Sequence, residues 1–147
     1  MKNESSMVRW LRLTAPAALA ILGMGCSHNP LVGTWNTAFT ALGITGTTSI
    51  VVSSDGTMVV DVNGSGASCT GASTTTGYAW AATGASITFS GTPVCTGGIT
   101  CGNLSLSCSG NQAFKAGSCT YALSNNDDTL ALTGCTGTTD ATYTRAN

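Results

Sequence analysis

The stretch TTSIVVSSDGTMVVDV (residues 47–62) decides the fold class. Ile50 and Val52 sit two apart, as do Met58 and Val60, and between the two runs stands SSDGT with Asp55 and Gly56. Residues two apart share one face of an extended strand, and β-branched residues pack well on a pleated surface. An Asp-Gly pair between two such runs predicts a tight type I′ hairpin. Two half-buried antiparallel strands cannot stand alone, so the rest of the chain must supply further strands.

It does so in both directions. GTWNTAF precedes the hairpin, and GYAWAAT, ASITFSG, NLSLSC, SCTYALS, DTLALTG and ATYTR follow it, each closed by glycine, asparagine or aspartate. No helical period runs over a useful length from Val32 onward. SNNDDT predicts a looser turn between the strands of Tyr121 and Leu130. NGSGASCTGASTTT reads as a long loop pinned by Cys69 or as a glycine-weakened strand, and GTPVCTGGITCG as a loop flanked by Cys95 and Cys101. The alternation marks one inward face: Ile50 and Val52, Met58 and Val60, Tyr78 and Trp80, Ile87 and Phe89, Leu104 and Leu106, Tyr121 and Leu123, Leu130 and Leu132. Consecutive strands with one buried face hide their edges most simply by closing on themselves. The expectation is an all-β chain forming a small up-and-down antiparallel barrel of about eight strands, with a β-sandwich as the alternative.

The beginning of the chain has a different character. Lys2, Arg9 and Arg12 precede an apolar run from Ala15 to Gly25 that is too short to span a bilayer as a helix. This is an export signal, residues 1–25. Its end, LGMGC, resembles the box that precedes the lipidated cysteine of bacterial lipoproteins, although Gly23 stands where leucine is usual and Leu22 lies one place early. Cys26 is then the lipid attachment site, residues 26–31 a tether, and residues 32–147 the folded domain. Ser27 after the cysteine, in place of aspartate, points to the outer membrane, on its periplasmic or surface face. The alternative is ordinary secretion with Cys26 as a free or intermolecular thiol.

Removing Cys26 from seven cysteines leaves Cys69, Cys95, Cys101, Cys108, Cys119 and Cys135. An even set in an exported domain reads as disulfides, and no Cys-x-x-Cys spacing supports a zinc site or a redox motif. Six cysteines allow 15 connectivities. Cys108 is in phase with Leu104 and Leu106, and Cys119 with Tyr121 and Leu123, so Cys108–Cys119 is the first pair expected if those strands form a hairpin. The chain from Cys26 onward, about 122 residues, is one domain's worth and can bury roughly two-thirds of its unfolded surface.

Charge narrows the function classes. Beyond the signal only Lys115 and Arg145 face Asp55, Asp61, Asp127, Asp128 and Asp140, leaving an excess of three negative charges and no basic patch for nucleic acid or an anionic membrane surface. The single histidine, His28, lies in the tether, away from any serine or cysteine of the barrel. Asp55, Asp127 and Asp128 fall in turns, Asp61 and Asp140 at strand margins, and Lys115 in a loop, so no paired-carboxylate cleft and no catalytic residue can be assigned. DVNGSG lacks the acidic residue an EF-hand needs at the place of Ala72, and no glycine-rich loop leads into a helix. No metal or cofactor is expected.

LVGTW at Leu31 to Trp35, the SDGT hairpin and the terminal TYTR together resemble the bacterial lipocalin-like domains and, more broadly, the calycin barrels. The resemblance covers the two ends of the exported chain. It implies that Trp35 closes one end of the barrel with Arg145 packed across it. This chain is shorter than ordinary lipocalins, richer in cysteine and without the helix after the barrel. The opening also resembles avidin's first hairpin, but the later biotin-pocket sequences are absent. Two non-catalytic functions follow as expectations. One is binding of a small apolar ligand by Tyr78, Trp80, Phe89 and Tyr121; the other is a packed barrel whose Thr-rich outer face or loops contact a protein or another component of the cell envelope.

Overall fold

A computed structural model describes residues 28–41, 43–66, 68–108 and 114–147; the expected export signal and lipid attachment at Cys26 lie outside the described residues. Nine strands follow one another: β1 (Gly33–Ala41), β2 (Ile44–Val52), β3 (Thr57–Gly66), β4 (Cys69–Thr83), β5 (Ser86–Cys101), β6 (Leu104–Ser107), β7 (Gly117–Ser124), β8 (Thr129–Thr133) and β9 (Ala141–Arg145). Each pairs antiparallel with its neighbours, and eight of them close a barrel in the order β1-β2-β3-β4-β5-β7-β8-β9, with β9 back against β1. This is the expected up-and-down barrel. The ninth strand, β6, stands outside the ring, paired to the far half of β5 through Gly98 to Cys101.

Strand lengths make the barrel lopsided. β4 and β5 run 15 and 16 residues, whereas β8 and β9 have 5 each. One wall, built of β1 to β6, therefore projects beyond the other. The glycine-rich segments around Cys69 and Cys95 are not loops: they continue β3, β4 and β5 into this projecting wall, where Asn63 pairs with Ala72 and Thr74 with Thr96. Their small side chains gave no inward apolar signal, yet ladder pairing on both sides holds them extended.

The 47–62 hairpin forms with a different turn. Gly56 N–H donates to the Ser53 carbonyl and Ser53 N–H to that of Thr57. Gly56 alone among the loop residues has positive φ, at 84°, so the connection is a type I turn followed by a left-handed glycine, a bulged loop in place of type I′. Asp55 stays at negative φ because its carboxylate is engaged with Thr57 through the N–H at 2.9 Å and the hydroxyl at 2.6 Å. The positive φ values of a type I′ turn occur instead at Asn126 and Asp127, closed by Asp128 N–H on the Asn125 carbonyl, and Asn125 before them is left-handed as well.

Three disulfides join Cys69 to Cys101, Cys95 to Cys108 and Cys119 to Cys135. The expected Cys108–Cys119 pair is wrong because β6 and β7 are not neighbours. Both pair with β5, β6 at Gly98 to Cys101 and β7 at Ser86 to Phe89, so Cys108 meets Cys95 on β5. Cys119 points into the core and is 2% exposed.

The interior is filled. Trp35, Ile50, Val52, Met58, Val60, Tyr78, Ile87, Phe89, Leu130, Leu132 and Tyr143 are buried, together with Leu31 from the segment before β1 and Phe114, which packs on Tyr78 of β4 and Phe89 of β5. Phe114 precedes β7 and carried no strand signal. Its ring stands edge-on to Phe89 at 5.2 Å and to Tyr78 at 6.3 Å, and its carbonyl accepts the Tyr78 hydroxyl at 2.7 Å. Such pairs add to area burial, and truncating a buried phenylalanine costs about 3 to 5 kcal/mol. Phe114→Ala is expected to lower unfolding free energy by about that amount in urea titration, while Val94→Thr, at a position 60% exposed, changes it by under about 0.5 kcal/mol.

Candidate functional site

Closure of the barrel is concentrated on Arg145. Trp35 and Arg145 are register partners in β1 and β9, and the guanidinium carbon lies 4.2 Å from the centre of the Trp35 ring. The same guanidinium donates to the carbonyls of Val32 at 3.0 Å, Asp127 at 3.0 Å and Pro30, and its Nε is 4.0 Å from the Asp128 carboxylate. Trp35 is fully buried, and its indole N–H donates to the Leu31 carbonyl at 2.9 Å. Gly33 has a physical reason in this arrangement. Its φ is 144°, and a Cβ there would sit 2.6 Å from an Arg145 nitrogen. Glycine two places before the tryptophan thus leaves room for the arginine that covers it.

The four expected ligand-lining residues separate. Tyr78 and Phe89 are core, each 3% exposed, and Tyr121 packs half-buried against the core from β7. Trp80 borders an open concavity of about 540 Å³, with His28 and Val32 from the segment before β1 and Ser54 and Gly56 from the β2–β3 turn. Its indole N–H is held by the Ser53 carbonyl at 3.0 Å, leaving the ring face as the available surface. The barrel axis itself is occupied by core side chains, Trp35, Phe89 and Tyr143 among them, as short barrels allow.

Asp55 and Asp140 serve turns, whereas Asp61, expected at a strand margin, lies inside β3 between Ser49 of β2 and Thr74 of β4. Asp140 accepts from the N–H groups of Gly134 at 3.1 Å and Cys135 at 3.0 Å, and these bonds hold its carboxyl below the ordinary range; the Thr57 hydroxyl and N–H do the same for Asp55. Among the described residues no group of three or more His, Cys, Asp or Glu side chains is placed to hold a metal ion. Every buried side-chain nitrogen or oxygen among them has a hydrogen-bond partner.

The projecting wall brings together residues that single strands do not reveal. The register aligns Thr40 with Thr45, Thr45 with Ser65, Ser65 with Thr70, Thr70 with Thr100 and Thr100 with Ser105. Six exposed hydroxyl side chains therefore cross β1 to β6 in one row, about 4.8 Å apart from strand to strand. Alongside it Thr47, Asn63 and Ala72 form the next row, and together they edge a shallow concavity of about 570 Å³. The face is polar and uncharged along both rows.

Two outcomes are expected. In a double-mutant cycle, Trp35→Leu and Arg145→Gln are expected to be non-additive, with a coupling of roughly 0.5 to 2 kcal/mol; additivity would remove the clamp. Burial pushes the Tyr143 phenol up to about 12 from an ordinary value of 10.0. The folded state thus holds that proton more tightly than the unfolded chain, so this stabilisation is complete below pH 10.0 and is lost as pH rises through about 12. Ultraviolet titration of the phenols is expected to show a last step there that Tyr143→Phe removes.

No family model, curated protein or solved structure matches this chain.

Proposed function

We propose that the chain is a non-catalytic, packed barrel of the bacterial cell envelope, held to a membrane through lipid on Cys26 and acting through its outer surface. The filled interior carries this reading: Trp35, Phe89, Phe114, Tyr78 and Tyr143 occupy the space in which a barrel would hold a small molecule. What the fold presents instead is the projecting wall with its uncharged hydroxyl rows, a surface suited to a neutral polar partner, protein or other envelope component. The export signal, the LGMGC box and the six paired cysteines support an extracytoplasmic site, the outer membrane being the one that Ser27 favours. The resemblance to lipocalin-like lipoproteins belongs to the same reading.

A second reading rests on Trp80. Its ring face opens on the concavity beside His28 and Val32, and a small apolar ligand stacked there would be held at the tethered end of the barrel, outside the core. Native mass spectrometry separates the two. The purified, processed protein is expected to begin at an acylated Cys26 and to carry no stoichiometric small molecule. A co-purifying apolar ligand would transfer the function to the Trp80 concavity, and an unmodified N-terminus would remove the membrane anchor.

A further inference from the structure

Arg145 fixes where the chain before β1 leaves the barrel. Its guanidinium donates to the carbonyls of Pro30 and Val32, so the path is pinned from Pro30 onward. Cys26 lies four residues before Pro30, and at roughly 3.5 Å per extended residue a lipid on it is held within about 14 Å of that carbonyl. So short a tether selects one end of the barrel. The same end carries the β2–β3 turn, whose Gly56 carbonyl accepts the Trp80 N–H, and the β7–β8 turn, whose Asp128 carbonyl accepts the Arg145 N–H. His28 borders both turns, facing Ser54, Gly56 and Trp80 on one side and Asn126, Asp127 and Arg145 on the other. The projecting wall lies at the opposite end: from Trp80 back to Thr70, β4 rises roughly 30 Å along its own axis.

We propose that the tethered end is a membrane-docking face, with Trp80 seated at the headgroup level of a zwitterionic phospholipid surface and the hydroxyl rows held away from it. This docking rests on the lipid at Cys26 proposed above and adds to it the face that the barrel turns to the bilayer. Trp80 suits that level. Its indole N–H is satisfied by the Ser53 carbonyl while its ring face is open, and tryptophan gathers at membrane–water interfaces because it joins an apolar body to a polar handle. Val32, Ala81 and Ala82 border the same opening and extend its apolar part. The neighbouring charges select the lipid. Asp55, Asp127 and Asp128 are exposed in the two turns, while Arg145, the permanent cation at this end among the described residues, is spent on three carbonyls and the Trp35 ring. Lys115 precedes β7, at the other end of that strand from the Asp127 turn. Within a Debye length of about 8 to 10 Å, anionic headgroups meet like charge on this face, and zwitterionic headgroups do not.

The processed protein is reconstituted into phosphatidylcholine vesicles whose acyl chains carry bromine near the headgroup, and tryptophan emission is read. Removal of the signal leaves Trp35 and Trp80, a fully buried ring and a docking one in the same chain. The Trp80 share of the emission is expected to be quenched, and the emission that remains in Trp80→Phe, that of Trp35, to be unaffected by the bromine. On phosphatidylglycerol the quenching is expected to weaken and to recover with added salt; equal quenching on the two lipids would overturn the choice of headgroup. Intact mass and co-sedimentation with the vesicles are measured on the same sample, so that anchor and docking fail separately. Acylated, sedimenting protein with unquenched Trp80 would overturn the docking and leave the anchor standing, whereas an unacylated chain that stays in the supernatant would remove both. Should Trp80→Phe fail to fold, amide exchange of the unmodified protein decides. Residues 53–56 and 125–128 are expected to gain protection on vesicles relative to the unacylated Cys26→Ser chain in solution, with 101–103 unchanged, and equal exchange in the two turns would overturn the docking.

Discussion

A single guanidinium over a single indole holds the first and last strands of this barrel together. Arg145 reaches the carbonyls of Pro30 and Val32 on the entering segment and Asp127 in the β7–β8 turn, while stacking on Trp35 of β1. Between β1 and β9 the ladder has only the pairs Trp35–Arg145 and Asn36–Thr144, far fewer than the nine that join β1 to β2. The seam is thus the thinnest join of the ring, and the side-chain clamp compensates for the backbone bonds it lacks. A charged group that satisfies three carbonyls while covering an aromatic ring contributes more than an exposed ion pair would, since its partners are fixed and partly dry. The 4.0 Å approach of Asp128, itself 62% exposed, adds little by comparison.

Closure at that seam leaves the barrel narrow, and aromatic rings fill it. Phe114 enters from outside the strand order and completes the packing of Tyr78 and Phe89. The unequal strand lengths then divide the labour. The short strands β7, β8 and β9 complete a stable ring, and the long β4 and β5 extend a polar sheet that has no core of its own. Disulfides appear where burial is missing: two of the three lie in that extension.

How much of this could be read beforehand follows from the side chains involved. Where alternation was apolar, as at Ile50 and Val52, Met58 and Val60, or Leu130 and Leu132, both the strand and its inward face were legible, because burial imposes period two directly. The barrel itself followed from the absence of helical period and the need to hide edges. Trp35 with Arg145 was legible only through resemblance, and the geometry supplies the reason for Gly33 as well. The projecting wall was half legible: residues 63–76 read equally as a long loop or a glycine-weakened strand and residues 91–102 as a loop, since threonine, serine and glycine fit either when the partner strand is unknown. The disulfide pairing failed for the same reason: Cys108 and Cys119 had the right parity, but parity does not say which strand lies alongside. Of the four aromatic residues expected to line a cavity, the inward direction was right for Tyr78 and Phe89, and what pattern could not show was Phe114 filling the space between them.

Closure at the β1–β9 seam is tested most directly by native-state hydrogen exchange of the Ala146 and Arg145 amides, which donate to Thr34 and Asp128 across β9's two sides. With the clamp holding the ring shut, both should exchange only through global unfolding, at the same free energy as amides of the β2–β3 ladder. Exchange of Ala146 through an opening well below the global free energy, with β2 and β3 still protected, would show an open seam and contradict the closed, filled barrel on which the functional reading rests.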